Sequence, residues 1–404
     1  MQTRSASPLP RKPRLRAWMW VVTAHLVALG LALVLFIAAR LYVHHKTFAS
    51  RTSFWLGDVY RYDAAIGFAM APDRNGVVVL RDGIAEPARR VCVRTDANGF
   101  RIPLDGEPTG SETGGLVGIG CSCTFGYGVP AESTYVYLAA EQLGIPAHNL
   151  GVCSYSAVTS IELLRQHIGS LEPSIVVYGY GNFHLERSER PRTDGVLFQA
   201  YLVDEGGAAR LVPPRFDNSL VFATVPRIED LYYRPKLAGE DTPFGWSRLR
   251  ALLPLAAEDL GRLRHRDYLR LRFETHDLPE STFARWVVRE LAGITAAAGA
   301  DAVLLFFPAF LGEKPSPEIV RAAEEIEHPG FQLVDVSPRL EAGTTDQDHY
   351  ARRWQVPRDG HPNGAMHLEM ARAVVEAVRA DGSGTEESAP PPVAPQAAAG
   401  ASGP

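Results

Sequence analysis

The stretch Gly118-Ile119-Gly120-Cys121-Ser122-Cys123-Thr124-Phe125-Gly126 constrains the fold more than any other part of this chain of 404 residues. Leu116 to Ile119 read as a short interior strand, and the glycines allow a sharp turn into the next element. One hydroxyl, Ser122, therefore sits in a small-residue turn straight after a buried strand, where its Oγ and its own N–H can face one substrate carbonyl. Alone, such a Gly-x-Ser-x-Thr-x-Gly pattern is more often a strand-to-helix loop with a capping serine. What lies downstream decides between the two.

Strand and helix alternate from this point: a strand to Gly120, a helix around Thr134 to Leu143, a strand to Leu150, a helix around Val158 to Ile168 and a strand at Ile175 to Tyr180. The pattern resumes with a helix around Phe283 to Ala298, whose Phe283, Val287, Leu291 and Ile294 share a face. Strands at Ala302 to Phe307 and Phe331 to Val334 and a last helix, Met366 to Val378, complete it. Such alternation predicts a parallel sheet covered by helices, with ligands bound outside the carboxyl ends of the strands.

Chemistry-bearing residues fall at those ends. Asn149-Leu150-Gly151 closes the second strand, Gly179-Tyr180-Gly181-Asn182 the third, and Asp359-Gly360-His361-Pro362-Asn363 precedes the last helix. A tetrahedral oxyanion needs preorganised donors, and the Gly151 N–H and the Asn182 amide would join the Ser122 N–H. His361 would be the base, and Asp359 would orient its imidazole.

In this order the blocks resemble those of the SGNH/GDSL hydrolase superfamily, in which serine, glycine, asparagine and histidine map onto Ser122, Gly151, Asn182 and His361. The resemblance covers roughly residues 116–183 and 300–380, with a lead-in, Asn98-Gly99-Phe100-Arg101, similar to one that often precedes the first block in bacterial members. It implies a flavodoxin-like three-layer α/β/α sandwich with a parallel sheet, and ester or acyl-transfer chemistry without a cofactor. The chain departs from the pattern in three places. Cys121 replaces the acid that braces the nucleophile turn, Tyr180 and Phe183 replace a glycine and an aspartate in the third block, and Arg358 stands where the family acid precedes the histidine. Asp348 is a second candidate for orienting His361.

Ala17 to Ala39 is almost unbrokenly apolar, and about 20 such residues span a bilayer as a helix. A cleavable signal peptide is the rival reading, but its apolar region is about 7–15 residues long and ends at a small-x-small site, whereas this run is longer and meets Arg40. Arg4, Arg11, Lys12, Arg14 and Arg16 before the run, against Arg40, Lys46 and Arg51 after it, predict a cytoplasmic N-terminus and an exported body. Trp18 and Trp20 suit bilayer-interface anchors, as His44 and His45 suit the far flank.

The expected organisation is a basic tail at 1–16, an anchor at 17–39, a partly β lead-in at 47–115, the main domain at 116–380 and a Ser-, Gly-, Ala- and Pro-rich disordered tail at 381–404. Gly76 to Leu80 and Arg90 to Val93 read as lead-in strands that pack on the main domain. An insertion at 185–275 interrupts the pattern. In it Leu249, Leu253, Ala256, Leu260 and Leu263 recur at helical spacing among Arg248, Arg250, Arg262, Arg264, Arg266, Arg270 and Arg272. That stretch reads as an amphipathic helix kinked at Pro254, covering the sheet or overhanging the site, with a membrane-surface helix as the alternative.

The net charge of -5, with the first 16 residues basic, leaves the body acidic and argues against nucleic acid as a partner. Cys92, Cys121, Cys123 and Cys153 have neither zinc nor Cys-x-x-Cys spacing, so no metal is expected. The three nearest Ser122 suit apolar packing or a disulfide, and Cys121 or Cys123 is a weaker nucleophile candidate. His184, close to Asn182, is expected to line the pocket. The expected function is a membrane-tethered serine esterase acting on an ester-bearing glycan or lipid; an O-acyltransferase for an envelope sugar and an inactive binding scaffold on the same fold are the alternatives.

Overall fold

The computed structural model describes residues 12–50, 53–80, 89–105, 113–193, 197–224, 226, 228, 231, 246–263, 277–357 and 359–381. The strands are β1 (Ser53–Leu56), β2 (Tyr60–Asp63), β3 (Gly67–Met70), β4 (Asn75–Leu80), β5 (Arg89–Thr95), β6 (Arg101–Ile102), β7 (Leu116–Gly120), β8 (Ala147–Asn149), β9 (Ile175–Tyr180), β10 (Arg192–Thr193), β11 (Leu197–Phe198), β12 (Tyr201–Glu205), β13 (Ala208–Val212), β14 (Asp301–Phe306) and β15 (Phe331–Asp335). The helices named here are α1 (Lys12–Ser50), α2 (Ser122–Phe125), α3 (Tyr135–Leu143), α4 (Ala157–Leu171), α5 (His184–Ser188), α6 (Trp246–Leu263), α7 (Glu280–Ala298), α8 (Pro317–Glu324), α9 (Ser337–Glu341), α10 (Gln347–Trp354) and α11 (Gly364–Asp381).

One sheet of nine strands runs β1-β4-β5-β6-β8-β7-β9-β14-β15. From β8 to β15 every pairing is parallel. Taken in chain order, these five strands have the doubly wound, flavodoxin-like order, which reverses between β7 and β9. Every residue of β7 and of β9 is buried, as in a sheet covered on both faces. Helix α3 packs with α11 and α4 with α7, completing the three layers. Phe283, Val287, Leu291 and Ile294 are all buried on α7, so the face read from spacing is the face in the core.

The lead-in strands join the main sheet itself, continuing it antiparallel through β6, where Arg101 pairs with Asn149 of β8. A two-residue strand has no periodicity to announce it.

Among the described residues one helix, α1, is long and apolar enough to cross a membrane; over Trp18–Lys46 the mean hydropathy is 2.6 in its most apolar window, none of which is buried. Farther along, Ile37 and Leu41 pack with Leu252, Leu255 and Ala256 of α6 and with Val77 and Val79 of β4. The insertion helix thus lies against the end of α1 and the far edge of the sheet. Its buried face is Leu252, Leu255 and Ala256, whereas Leu253 is 42% exposed, which corrects the register inferred from leucine spacing. The helix contains Pro254, and its partner α1 could not be read from local periodicity. His44 is buried in the protein rather than free at a flank. Arg262 is buried too, donating to the Asp217 carbonyl at 2.6 Å and stacking 5.1 Å from the Phe198 ring centre, so it is a packing residue. The side chains of Leu249, Leu260 and Leu263, the residues Arg264, Arg266, Arg270, Arg272 and Arg358, and the basic tail at 1–11 and the tail from 382 fall outside the described residues.

Candidate active site

The turn after β7 is built by close approach. Gly120 has φ +148°, and a Cβ there would overlap the Thr124 hydroxyl and the Gly179 carbonyl. Ser122 opens α2, a single turn that closes at Gly126 in the left-handed region with φ +80°. The brace that a neighbouring acid would supply comes from elsewhere. Asn149 Nδ2 donates to the Thr124 carbonyl at 2.9 Å. Arg101 Nη1 donates to the Phe125 and Gly126 carbonyls, the latter at 2.7 Å, and Nη2 donates to the Val129 carbonyl at 2.5 Å. Its guanidinium also lies 4.5 Å over the Phe125 ring. Arg101 is 1% exposed, and burial holds its pKa down to about 10, so it stays charged at neutral pH against the carbonyl end of α2. The lead-in made Arg101 visible in the sequence, but its role appears only when β6 joins the sheet beside β8.

Ser122 is 6% exposed, and its Oγ lies 2.7 Å from His361 Nε2. The other ring nitrogen, Nδ1, is bonded to the Asp359 carboxylate. Asp359 accepts the Nδ1 hydrogen, which leaves the Nε2 lone pair to accept from the serine hydroxyl. Their loop is a tight hairpin: the Val356 N–H donates to the His361 carbonyl at 2.7 Å, and Gly360 turns the chain at φ +85°. Only one residue is needed between acid and histidine in such a turn, which explains the short Asp359-Gly360-His361 spacing. Asp348 sits exposed in the first turn of α10, so the carboxylate on His361 is that of Asp359. The Tyr127 ring lies 4.7 Å from the imidazole.

The other expected donors come to the same ends of the sheet but are already engaged. The Gly151 N–H donates to Asn149 Oδ1 at 2.9 Å, and a Cβ on Gly151 would overlap the α2 backbone at Thr124 and Phe125. Glycine is required there for packing. The Asn182 amide donates to Glu313 Oε1 at 3.0 Å and to the Lys314 carbonyl at 2.9 Å, which occupies both of its hydrogens. The Ser122 N–H, in the first turn of α2, has no intrahelical acceptor. Buried polar hydrogens find acceptors within the protein, and the sequence carried no signal that Glu313, from a loop 131 residues away, would be one.

That loop is tied to the histidine side as well. Gln355 Nε2 donates to the Ala309 carbonyl at 2.7 Å, and the Tyr350 hydroxyl donates to the Pro308 carbonyl at 2.8 Å. His184, expected in the pocket, is instead fully buried, with its Nδ1 accepting from the Gly181 N–H at 3.2 Å and its ring 4.6 Å from that of Phe183. His367 is buried as well; its Nδ1 accepts from the Tyr135 N–H at 3.2 Å, and burial pushes its pKa down to about 3.

All four cysteines are free thiols, and Cys121, Cys123 and Cys153 are buried. The hydrogen bond that the Cys123 S–H donates to Cys121, and then burial, push the Cys123 thiol up. Among the described residues no group of three or more His, Cys, Asp or Glu side chains is placed to hold a metal ion.

No protein-family model matches the sequence, and no curated protein matches it. Among solved structures, the chain is similar to a putative lipolytic protein of the G-D-S-L family from Desulfitobacterium hafniense at 11% identity, covering 66% of this chain and 99% of that one, with a TM-score of 0.31. A carbohydrate esterase family 2 enzyme with a carbohydrate-binding domain, from Corynascus thermopiles, is similar at 13% identity over 82% of this chain and 93% of that one, with a TM-score of 0.37. An acetylxylan esterase from Geobacillus stearothermophilus, solved as a catalytic mutant, is similar at 15% identity over 68% and 96%, with a TM-score of 0.34. The block residues gather at the carboxyl ends of a doubly wound, flavodoxin-like sheet, with Ser122 bonded to His361.

Proposed function

We propose that the protein is a serine esterase or acyl hydrolase of SGNH type, tethered by α1 with its body outside the cytoplasm. The observation that carries this reading is the 2.7 Å contact of His361 Nε2 with Ser122 Oγ, while Asp359 holds Nδ1. Ser122 Oγ attacks the ester carbonyl carbon as its proton passes to His361 Nε2. The tetrahedral oxyanion is stabilised by the Ser122 N–H and by the Asn182 amide once that amide is free. Collapse breaks the bond to the alcohol, which leaves with the proton from His361; water, deprotonated by the same imidazole, then hydrolyses the acyl-serine. Asp359 stabilises the imidazolium formed at each proton transfer.

The substrate would be an ester on a glycan or lipid within reach of the membrane. The purified full chain in detergent should hydrolyse p-nitrophenyl acetate, and Ser122→Ala should abolish that activity; retention of activity in a folded Ser122→Ala protein contradicts the reading. The tether is tested separately. A reporter active only outside the cytoplasm, fused after Asp381, should be active, and a mature protein beginning near Arg40 would contradict an uncleaved anchor.

A further inference from the structure

Glu313 bonds Asn182 and the Ala309 N–H and makes contacts that the esterase reading, on which this inference rests, does not use. Its Oε1 accepts from Asn182 Nδ2 at 3.0 Å, and its Oε2 accepts from the Ala309 N–H at 2.5 Å. The Glu313 carbonyl accepts from the Ser337 hydroxyl at 3.0 Å, and the neighbouring Lys314 carbonyl takes the second Asn182 hydrogen at 2.9 Å. Asn182 Oδ1, by contrast, is buried without a hydrogen-bond partner. The amide is thus held by its donors alone, in a position where neither hydrogen is available to an oxyanion.

We propose that Glu313 is a latch on Asn182, opened by a substrate that carries a free hydroxyl beside its ester. When the amide leaves Glu313 for the carbonyl oxygen, a partly buried carboxylate loses a donor and needs another. A hydroxyl of the substrate supplies it: the substrate O–H donates to Glu313 Oε1 while the Asn182 amide donates to the oxyanion. A simple aryl ester brings no such donor and must open the latch unaided. The same loop presents Phe310, 53% exposed, whose ring suits the apolar face of a sugar. The substrate class that fits is a partly acylated carbohydrate. Glu313 is a positioning residue here, acting through Asn182.

The test reads acylation alone, as the burst of p-nitrophenol from p-nitrophenyl acetate with the full chain in detergent. With the latch closed about nine-tenths of the time, Glu313→Ala should raise the burst rate about tenfold, and Glu313→Gln, which keeps an oxygen acceptor, should leave it near the wild-type rate. Methyl glucoside, which has hydroxyls and no ester, should accelerate the wild-type burst saturably and leave Glu313→Ala unaffected. A slower or unchanged burst in folded Glu313→Ala overturns the latch, because Glu313 would then be holding Asn182 in its working place or doing nothing to it. An absent methyl glucoside effect on wild type overturns opening by a hydroxyl, and needs no variant to fold. A wild-type chain that releases no p-nitrophenol, as burst or as steady turnover, counts against the esterase reading instead. The latch is then read from a crystal structure of Glu313→Ala, where an Asn182 amide still on the Lys314 carbonyl overturns it and one turned toward Ser122 supports it.

Discussion

On one side of Ser122, His361 and Asp359 already make the bonds that proton transfer needs; on the other, Gly151 and Asn182 donate to acceptors within the protein. The base side comes from one short hairpin and has complementary partners in hand, since a hydroxyl, an imidazole and a carboxylate satisfy each other without substrate. The proposed oxyanion side has donors only, gathered from the ends of different strands, and the charge they would serve exists only during reaction. A resting protein fills such donors with whatever acceptors lie near, here Asn149 Oδ1, Glu313 and the Lys314 carbonyl. An assembled triad is therefore compatible with an oxyanion site that still has to open.

Substitutions should separate the two sides by size. Ser122→Ala and His361→Ala should each lower kcat by up to about a millionfold, and the double variant should be scarcely worse, because the two act as one unit. Additive losses would break the claim that they share a proton. Asp359→Asn should cost about ten-thousandfold in kcat, since an amide cannot hold the same tautomer and it is Asp359, not the exposed Asp348, that bonds Nδ1. A loss under tenfold would mean that another group orients His361.

On the oxyanion side, Asn182→Ala should lower kcat by about a hundredfold with KM little changed, as expected of a donor used only in the transition state. An increase in kcat would assign Asn182 to the resting state alone. Arg101→Ala should act on both sides at once, because it leaves the carbonyls at the end of α2 without their donor: about 3 kcal/mol of stability lost in urea unfolding, with Arg101→Lys intermediate. Unchanged stability would place the brace of the nucleophile turn elsewhere.

The last effect, spread over several pH units, concerns acid. His367 is neutral in the fold, with a pKa pushed down to about 3, while the unfolded chain binds a proton near pH 6.5. Below that value the unfolded state holds the extra proton, so stability should fall as pH drops from about 6.5 toward 3, by at most about 1.4 kcal/mol per pH unit. The slope should flatten in His367→Gln, measured as Tm against pH, and an unchanged slope would give the acid sensitivity to other groups.

Several of these groups were legible before the fold was known. Ser122, Asp359 and His361, which the fold bonds together, stand at a strand end and in a loop that spacing exposes, and the buried faces of β7, β9 and α7 follow from unbroken or helical apolar patterns. What contact between distant segments creates was not legible. Arg101 reaches the nucleophile turn only because a two-residue strand pairs with β8, and Glu313 reaches Asn182 from a loop after β14 with no pattern of its own. The α6 register was misread for the same reason, since its buried leucines are chosen by α1 and β4.

The central claim, that Ser122 is the nucleophile activated by His361, is tested most directly by trapping. The full chain in detergent, incubated with a fluorophosphonate and digested, should yield one phosphonylated peptide in mass spectrometry, modified at Ser122, with labelling lost in both Ser122→Ala and His361→Ala. A label on Cys121 or Cys123, or labelling that survives Ser122→Ala, would contradict it.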